Sequence, residues 1–548
     1  MRVTELAPDL FGLSVAVETF VASGLPSPDD PLPREGKAIH DAVWGTHVFR
    51  AWEVALLDTP LMQRLRRVRQ TSFAFLTYPA ANHTRFEHSL GVVVTADKLL
   101  NSLESSRLPD DLAIAPEDRA TVRLAALLHD VGHVCMAHIG EQLIKKHPWI
   151  TDYTAQLYGQ WPSMPEPKPH ELLSHAIVKS EAFREYFSAL QRHYEADFPV
   201  LAKLDLDEIA AIIVGAARPE RMYLADIING NFDADKLDYL IRDAYFTGLR
   251  LNLDTDRLLY AMMVVPVDER WFRERCKNHE EVKETERQRE HGEGVPYRLV
   301  VRSAGVSALE QILFAKMQLY LAVYHHQKIR AADSVFTSYI DCLKAGGAGL
   351  AGTAFDNPID YLRATDYDWL FGQHGSSQLE SMATSLKERR LRKRALVISS
   401  RTVEGGEDAI TRLTGNKRLP QIRLALARRI IERAAPYLPN HGLTEYDIIL
   451  DIPDQPSLRE ASETPVLMPD LSLGVMNEIF PIDKWLTAYL KHKWQAHVFC
   501  PAAPERQRLV IAKASRDVLR DLPQVWLNLT PEAWRQAHLD PALVESAY

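Results

Sequence analysis

The residues richest in chemistry are the adjacent pair His129-Asp130, which ends an apolar run (Leu124 to Leu128) and is followed by Gly132, His133 and His138. An imidazole beside a carboxylate can supply two metal ligands of different hardness, or a general base and the group that orients it. His133 lies four residues after His129 and shares its face if the helix continues, although Gly132 can kink it. His138 and Glu141 are three apart on the next stretch. Upstream, Arg85 and His88 are also three apart, which sets a guanidinium beside an imidazole on one helix face, as a polyphosphate site wants. Downstream, Asp235, Tyr239 and Asp243 recur at i, i+4 and i+8 and stack on one face, with Lys236 next to them. A lone histidine is most often a satisfied core residue. Five histidines and several acids in three short words point instead to a common polar pocket.

The words around these residues carry a resemblance. Arg85-Phe86-Glu87-His88-Ser89-Leu90-Gly91, then His129-Asp130, then Asp233-Ala234-Asp235-Lys236-Leu237-Asp238-Tyr239 give the order His, His-Asp, Asp on helical segments, the signature of the HD phosphohydrolase superfamily. Asp58-Thr59-Pro60-Leu61-Met62-Gln63-Arg64-Leu65-Arg66 is narrower, and from Lys37 to His88 the chain resembles the deoxynucleoside triphosphate triphosphohydrolases (dNTPases) without a gap. The resemblance implies a mainly α fold: a helical HD-domain core with a smaller α+β accessory region toward the C-terminus. It implies metal ligands at His88, His129, Asp130 and Asp235, a set that suits Mn, Fe, Co or Zn, or Mg with more water retained. It places His138 near the scissile bond, backed by Glu141 and His170, with His133 in the same catalytic group. His170 is chosen over His175 because Glu171 and Ser174 also match. Arg85, Lys236, Tyr239 and Lys316 would meet phosphate, Lys316 standing where the family has an arginine. That change keeps the charge and loses the bidentate fork. Gln70 and Asp243 would bind the sugar 3′-hydroxyl, and Tyr324 would pack on the sugar. Lys37, Asp58, Gln63 and Arg66 correspond to residues that grip an activating guanine nucleotide between subunits, so a homo-oligomer is expected. The plainer reading of that stretch is a capped helix start with a solvated arginine face.

The elements that must position these groups follow from composition and punctuation. The 548 residues exceed one ordinary domain and can bury a large core. With 46% hydrophobic and 25% charged residues and a formal net charge of −9, the chain has no global attraction for nucleic acid or anionic membrane. Its four widely spaced cysteines form no CxxC pair, which fits a reducing cytoplasm. No signal-peptide layout is seen, and no segment approaches the roughly 20 apolar residues of a membrane span. Residues 1–36 read as an N-terminal extension and linker, 37–345 as the HD core, and 346–548 as the accessory region. A charged insertion at 267–294 reads as an exposed hairpin or disordered segment. Phe73 to Pro79 reads as strand or turn, Lys145 to Pro169 as a loop excursion that could rim a site, and Ser307 to Ala332 as one long amphipathic helix. The run Lys387 to Arg394 reads as a solvated helix face rather than a nucleic-acid patch, because no aromatics interleave. Ala395 to Ser399, Tyr446 to Ile452 and Ala496 to Cys500 read as short strands.

The reaction expected is metal-dependent hydrolysis of a dNTP to deoxynucleoside and tripolyphosphate. Two other readings use the same residues: an HD-type phosphodiesterase or nuclease acting on another nucleotide or single-stranded nucleic acid, and a nucleotide sensor.

Overall fold

In a computed structural model the chain is described over residues 8–548, apart from 28–29, 106–107, 110–111, 163, 269–294, 347–349, 351–354, 416–418, 455–461, 483, 485–491, 503 and 523–526. All but the first two residues of the charged insertion lie outside these, as does most of the glycine-rich junction. The described chain is mainly helical and divides into two compact units. The first comprises Met1–Leu319, Phe355–Tyr367 and Leu458–Pro481; the second comprises Tyr320–Ala354, Asp368–Ser457 and Ile482–Tyr548.

The first unit is built on helices Arg85–Glu104, Pro116–Leu128, Pro169–Lys179, Leu206–Ile213, Met222–Asn229 and Ala234–Thr247. Their starts are encoded locally. Glu87 accepts from Thr84 N at 2.5 Å, Asp118 accepts from Ala115 N at 2.9 Å with Pro116 in the first turn, and Asp233 accepts from Lys236 N at 2.7 Å. Leu124 to Leu128 are fully buried, so this run anchors the helix at about 1.5–3 kcal/mol for each large side chain. A hairpin of Lys37–Asp41 with Gly45–Phe49 precedes helix Ala51–Leu57. A four-stranded sheet of Met262–Pro266, Tyr297–Arg302, Pro465–Leu467 and Leu473–Val475 flanks the helices.

Several local expectations change. Ser72–Leu76 is a 3-10 helix whose Phe73 and Ala74 are buried, where a strand or turn was expected. Residues 145–169 contain helix Pro148–Gln160; Pro148 sits in its first turn, where proline starts a helix rather than breaking it. Within the extension, Pro8–Gly24 is a helix. The expected helix over 307–332 is interrupted: Val306–Leu319 gives way to a π-helical turn at Tyr320–Tyr324, and Gln327–Gly346 begins anew. Ser303–Tyr324 is also long and apolar enough to cross a membrane, with mean hydropathy 1.2, and half of that window is buried inside the protein as in a core helix.

The second unit carries the three expected strands, Lys393–Ile398, Ala496–Cys500 and Ile449–Asp451, in one antiparallel sheet with Ala496–Cys500 central. Helices Leu419–Ala434 and Glu505–Arg520 contribute to its core. The basic run is not a helix face. The helix ends at Lys387, and Arg392 turns inward, donating to Ser334 O and Ser338 Oγ, both at 3.0 Å, and to Tyr446 O. Asp333, in the same unit, is buried beside the Arg330–Asp451 pair, and burial pushes its carboxyl up to about 7 against the pull of Arg330. A raised folded-state pKa means that the neutral acid stabilises the fold, and that this contribution fades as pH rises from the unfolded carboxylate value toward about 7. Asp333→Asn removes the ionisation. The melting temperature of the variant minus that of wild type should therefore grow between about pH 4 and pH 8 in thermal scans; a difference independent of pH would contradict the assignment.

Candidate metal centre and active site

Helix Arg85–Glu104 brings Arg85 and His88 to the interior, the turn after Leu128 brings His129 and Asp130, and helix Ala234–Thr247 brings Asp235. The four expected ligands meet. His88 Nε2 lies 2.9 Å from Asp235 Oδ1 and 3.7 Å from Asp130 Oδ2; His129 Nε2 lies 3.5 Å from Asp130 Oδ1 and 3.9 Å from Asp235 Oδ1. Neither Nε2 has a geometrically sound hydrogen bond among the described residues. Each Nδ1, in contrast, is committed: His88 donates to Asp238 Oδ2 and His129 to Ala126 O, both at 2.7 Å. Imidazoles tied at Nδ1 present the lone pair of Nε2, the tautomer a metal requires. The donor set fits a divalent cation, and His88, His129 and Asp130 together can hold one.

Electrostatics favours the same ion. Burial opposes ionisation of Asp130, but Arg85, whose Nη1 donates to its Oδ2 at 2.8 Å, and the surrounding imidazoles hold the carboxyl well below its usual range. Asp235 is likewise held down against burial by His88 and Lys168. For His88, burial is outweighed by Asp235 and Asp238, which push it up to about 9, so a cation would replace a proton at Nε2. Two other acids do not compete for Arg85: Glu87 caps its helix, and Glu53 takes Arg123 at 2.6 and 2.8 Å.

A second row of groups adjoins this cluster. His138 Nδ1 donates to Glu141 Oε2 at 3.0 Å, and His170 Nδ1 makes a short bond to Glu141 Oε1 while its Nε2 stands 3.6 Å from Asp130 Oδ1. His133 stacks on His170 at 4.5 Å. His175 points elsewhere, hydrogen-bonded to the Tyr153 hydroxyl at 2.7 Å. Gly132 permits this packing, since a Cβ there would lie 2.3 Å from Ser174 N and 2.5 Å from His170 O. Of the remaining expected residues, Lys236 Nζ donates to Asp233 Oδ2 at 2.6 Å and to Gly230 O at 2.8 Å. Tyr239 is half-buried on the face of Asp235, and Lys316 is half-buried on helix Val306–Leu319. Tyr324 belongs to the second unit, edge-on to Tyr320. Gln70 Oε1 is buried without a hydrogen-bond partner among the described residues. Lys37 and Asp58 pair at 2.7 Å on the surface, and Arg66 donates to Gln63 Oε1 at 2.7 Å while lying over the Phe86 ring at 3.7 Å.

The arrangement also contains residues that sequence reasoning passed over. Asp238 is fully buried and accepts from His88 Nδ1, Trp44 Nε1 (2.5 Å) and Arg242 Nε (2.8 Å), and Arg242 in turn reaches Asp41 at 2.8 Å. The i, i+4 spacing of Asp238 and Arg242 was a usable signal. His83 Nε2 donates to Asp243 Oδ1 at 2.8 Å, and its carbonyl accepts from Gln70 N at 3.0 Å. Asp366, far along the chain, reaches the loop before His138, and no local pattern marks it.

Family comparison agrees with this geometry. The HD domain model matches residues 85–242, and the HD associated region model matches 290–524. The chain therefore carries an HD domain over residues 85–242. It is 30% identical over 236 residues to the deoxynucleoside triphosphate triphosphohydrolase SAMHD1 homologue of Dictyostelium discoideum, covering 42% of this chain and 40% of that one. It is 24% identical over 353 residues to human SAMHD1, covering 60% and 49%. An uncharacterised Methanocaldococcus jannaschii protein is 26% identical over 300 residues, covering 55% and 48%. The chain thus spans about half or less of the length of these relatives.

The role of Asp238 is testable. Asp238→Asn leaves the direct donor set intact and weakens the hold on His88, so divalent-metal affinity should drop by about 10- to 100-fold in calorimetric titration, with the circular dichroism of the fold retained. Unchanged affinity would show that His88 needs no orienting carboxylate.

Proposed function

We propose that this protein is a divalent-metal-dependent phosphohydrolase that cleaves deoxynucleoside triphosphates between the 5′-oxygen and the α-phosphorus, giving deoxynucleoside and tripolyphosphate. The observation that carries this reading is the convergence of the His88 and His129 Nε2 atoms on Asp130 and Asp235, with His138, Glu141 and His170 alongside. The similarity to proteins named deoxynucleoside triphosphate triphosphohydrolases supports dNTPs as the substrate class. His88, His129, Asp130 and Asp235 would hold the cation, which polarises a phosphoryl oxygen and acidifies water.

This chain's own residues do the rest. Arg85, buried and paired with Asp130, places a guanidinium where phosphate charge must be neutralised. Lys236, Tyr239 and Lys316 add to that field. His138, whose side chain is 65% exposed and oriented by Glu141, gives its proton to the departing 5′-oxygen. His170 takes the other oxygen of Glu141, and His133 stacks on His170. Asp243, oriented by His83, and Gln70, tied to the same residue through its backbone N–H, receive the sugar 3′-hydroxyl.

Incubation with each dNTP and Mn²⁺, with products resolved by anion-exchange chromatography, tests the reaction. Deoxynucleoside and tripolyphosphate in equal amounts are expected. Inertness toward dNTPs with release of a monophosphate from a diester would move the chain to the phosphodiesterases. His138→Ala should keep metal and dNTP binding and lose about 10²-fold or more in kcat; loss of metal instead would make His138 a ligand.

On the surface, Lys37, Asp58, Gln63 and Arg66 form a site for an activating guanine nucleotide. Asp58 accepts from the N1–H and N2–H edge, Arg66 and Gln63 donate to O6 or N7, and Lys37 meets phosphate. The surface pairing of Lys37 with Asp58 and of Arg66 with Gln63 supports this reading. The nearby helix start is capped by Thr59, not Asp58, so capping does not account for the Asp58 side chain. GTP should raise hydrolysis of a second dNTP and enlarge the particle in sizing chromatography, and Asp58→Ala should remove both effects. Equal rates and sizes with and without GTP would leave these residues as surface pairs.

A further inference from the structure

His138 depends on its backbone for its position. Its side chain hydrogen-bonds to Glu141, one turn along the same helix, and lies edge-on to the His133 ring at 6.1 Å. That backbone is unusual. Met136 (φ 58°) and Ala137 (φ 46°) are consecutive left-handed residues directly before His138, and neither is glycine. Left-handed backbone is disfavoured for residues with a Cβ, so the pair persists only where surrounding contacts impose it.

The contacts that impose it come from distant segments of the same unit. Met136 N donates to Asp366 Oδ1 at 2.7 Å, and Cys135 N to Tyr361 O at 3.2 Å. The second oxygen of Asp366 accepts from Arg69 N at 2.9 Å, the residue before Gln70. Just upstream, Arg64 Nη2 donates to Val131 O at 2.9 Å and His133 O at 2.8 Å. Asp366 is only 1% exposed. One carboxylate therefore holds two backbone N–H groups, one leading to the proton donor and one to the sugar-binding Gln70.

We infer that Asp366 is a positioning residue for His138: it locks the left-handed Met136–Ala137 turn and fixes the spacing between His138 and Gln70. This rests on the assignment of His138 to proton transfer. Asp366→Asn is nearly the same shape but offers one acceptor oxygen where two N–H groups each need one, and sets an amide N–H against the other. The variant should lose about 10²-fold in kcat, the scale of a displaced catalytic group, with bound metal at wild-type levels and a much smaller change in KM, because His83 O still holds Gln70 N. Adding Met136→Gly, which takes the left-handed conformation without steric cost, should restore part of the lost kcat. A crystal structure of Asp366→Asn should show residues 136–138 displaced while His88 and His129 keep their places. Wild-type kcat, an unmoved 136–138 turn, or a parallel loss of metal and activity that Met136→Gly does not relieve would each overturn the inference. If wild type hydrolyses no dNTP the proposed reaction fails, while the crystallographic comparison still decides the clamp.

Discussion

Asp238 is buried completely, and the geometry of the centre depends on it. Three residues from three elements place four N–H groups on its two oxygens: His88 from helix Arg85–Glu104, Arg242 (through Nε and Nη2) from its own helix, and Trp44 from the turn of the N-terminal hairpin. Arg242 and His88 overcome the cost of burial and hold the carboxyl at about 2. A charge so enclosed is tolerated only when every lone pair is used. The close approach also requires Gly91, where a Cβ would lie 1.9 Å from Asp238 Oδ1 and 2.3 Å from Arg242 Nη2. The glycine in the word Arg85-Phe86-Glu87-His88-Ser89-Leu90-Gly91 is thus part of the metal centre's support.

Around that support the site separates into two kinds of histidine. His88 and His129 are tied at Nδ1 and turn Nε2 to the carboxylates, which suits ligation. His138 is exposed and held by one carboxylate, which suits exchange of a proton with a bound molecule. His133 stands between these groups, stacked on His170, and burial together with Arg85 keeps it neutral by lowering its pKa well below the ordinary value. In the proposed reaction one short stretch, 129–141, would supply both ligation and proton chemistry, on either side of the left-handed turn at Met136 and Ala137.

The second unit follows a different economy. Its three-stranded sheet packs against helices through an apolar core that includes Leu396, Val397, Val498, Val510 and Ile511. Its buried charges, Arg330 with Asp451 and Arg392 on main-chain and serine oxygens, secure packing between segments.

The sequence alone determined the elements that local chemistry encodes: helix starts at Thr84, Asp233 and Pro116, the polar row on helix Ala234–Thr247, and the strands of the second unit. It also marked the four residues that converge on the candidate ion site, because their types and order are themselves the signal. Tertiary structure decided everything that depends on segments distant in the chain. Asp238, His83 and Asp366 act across separations of 150, 160 and 230 residues, beyond the reach of periodicity or spacing. The same cause explains the misread basic run: composition cannot distinguish a solvated arginine from Arg392, whose guanidinium faces inward because buried carbonyl and hydroxyl oxygens from other segments meet it there.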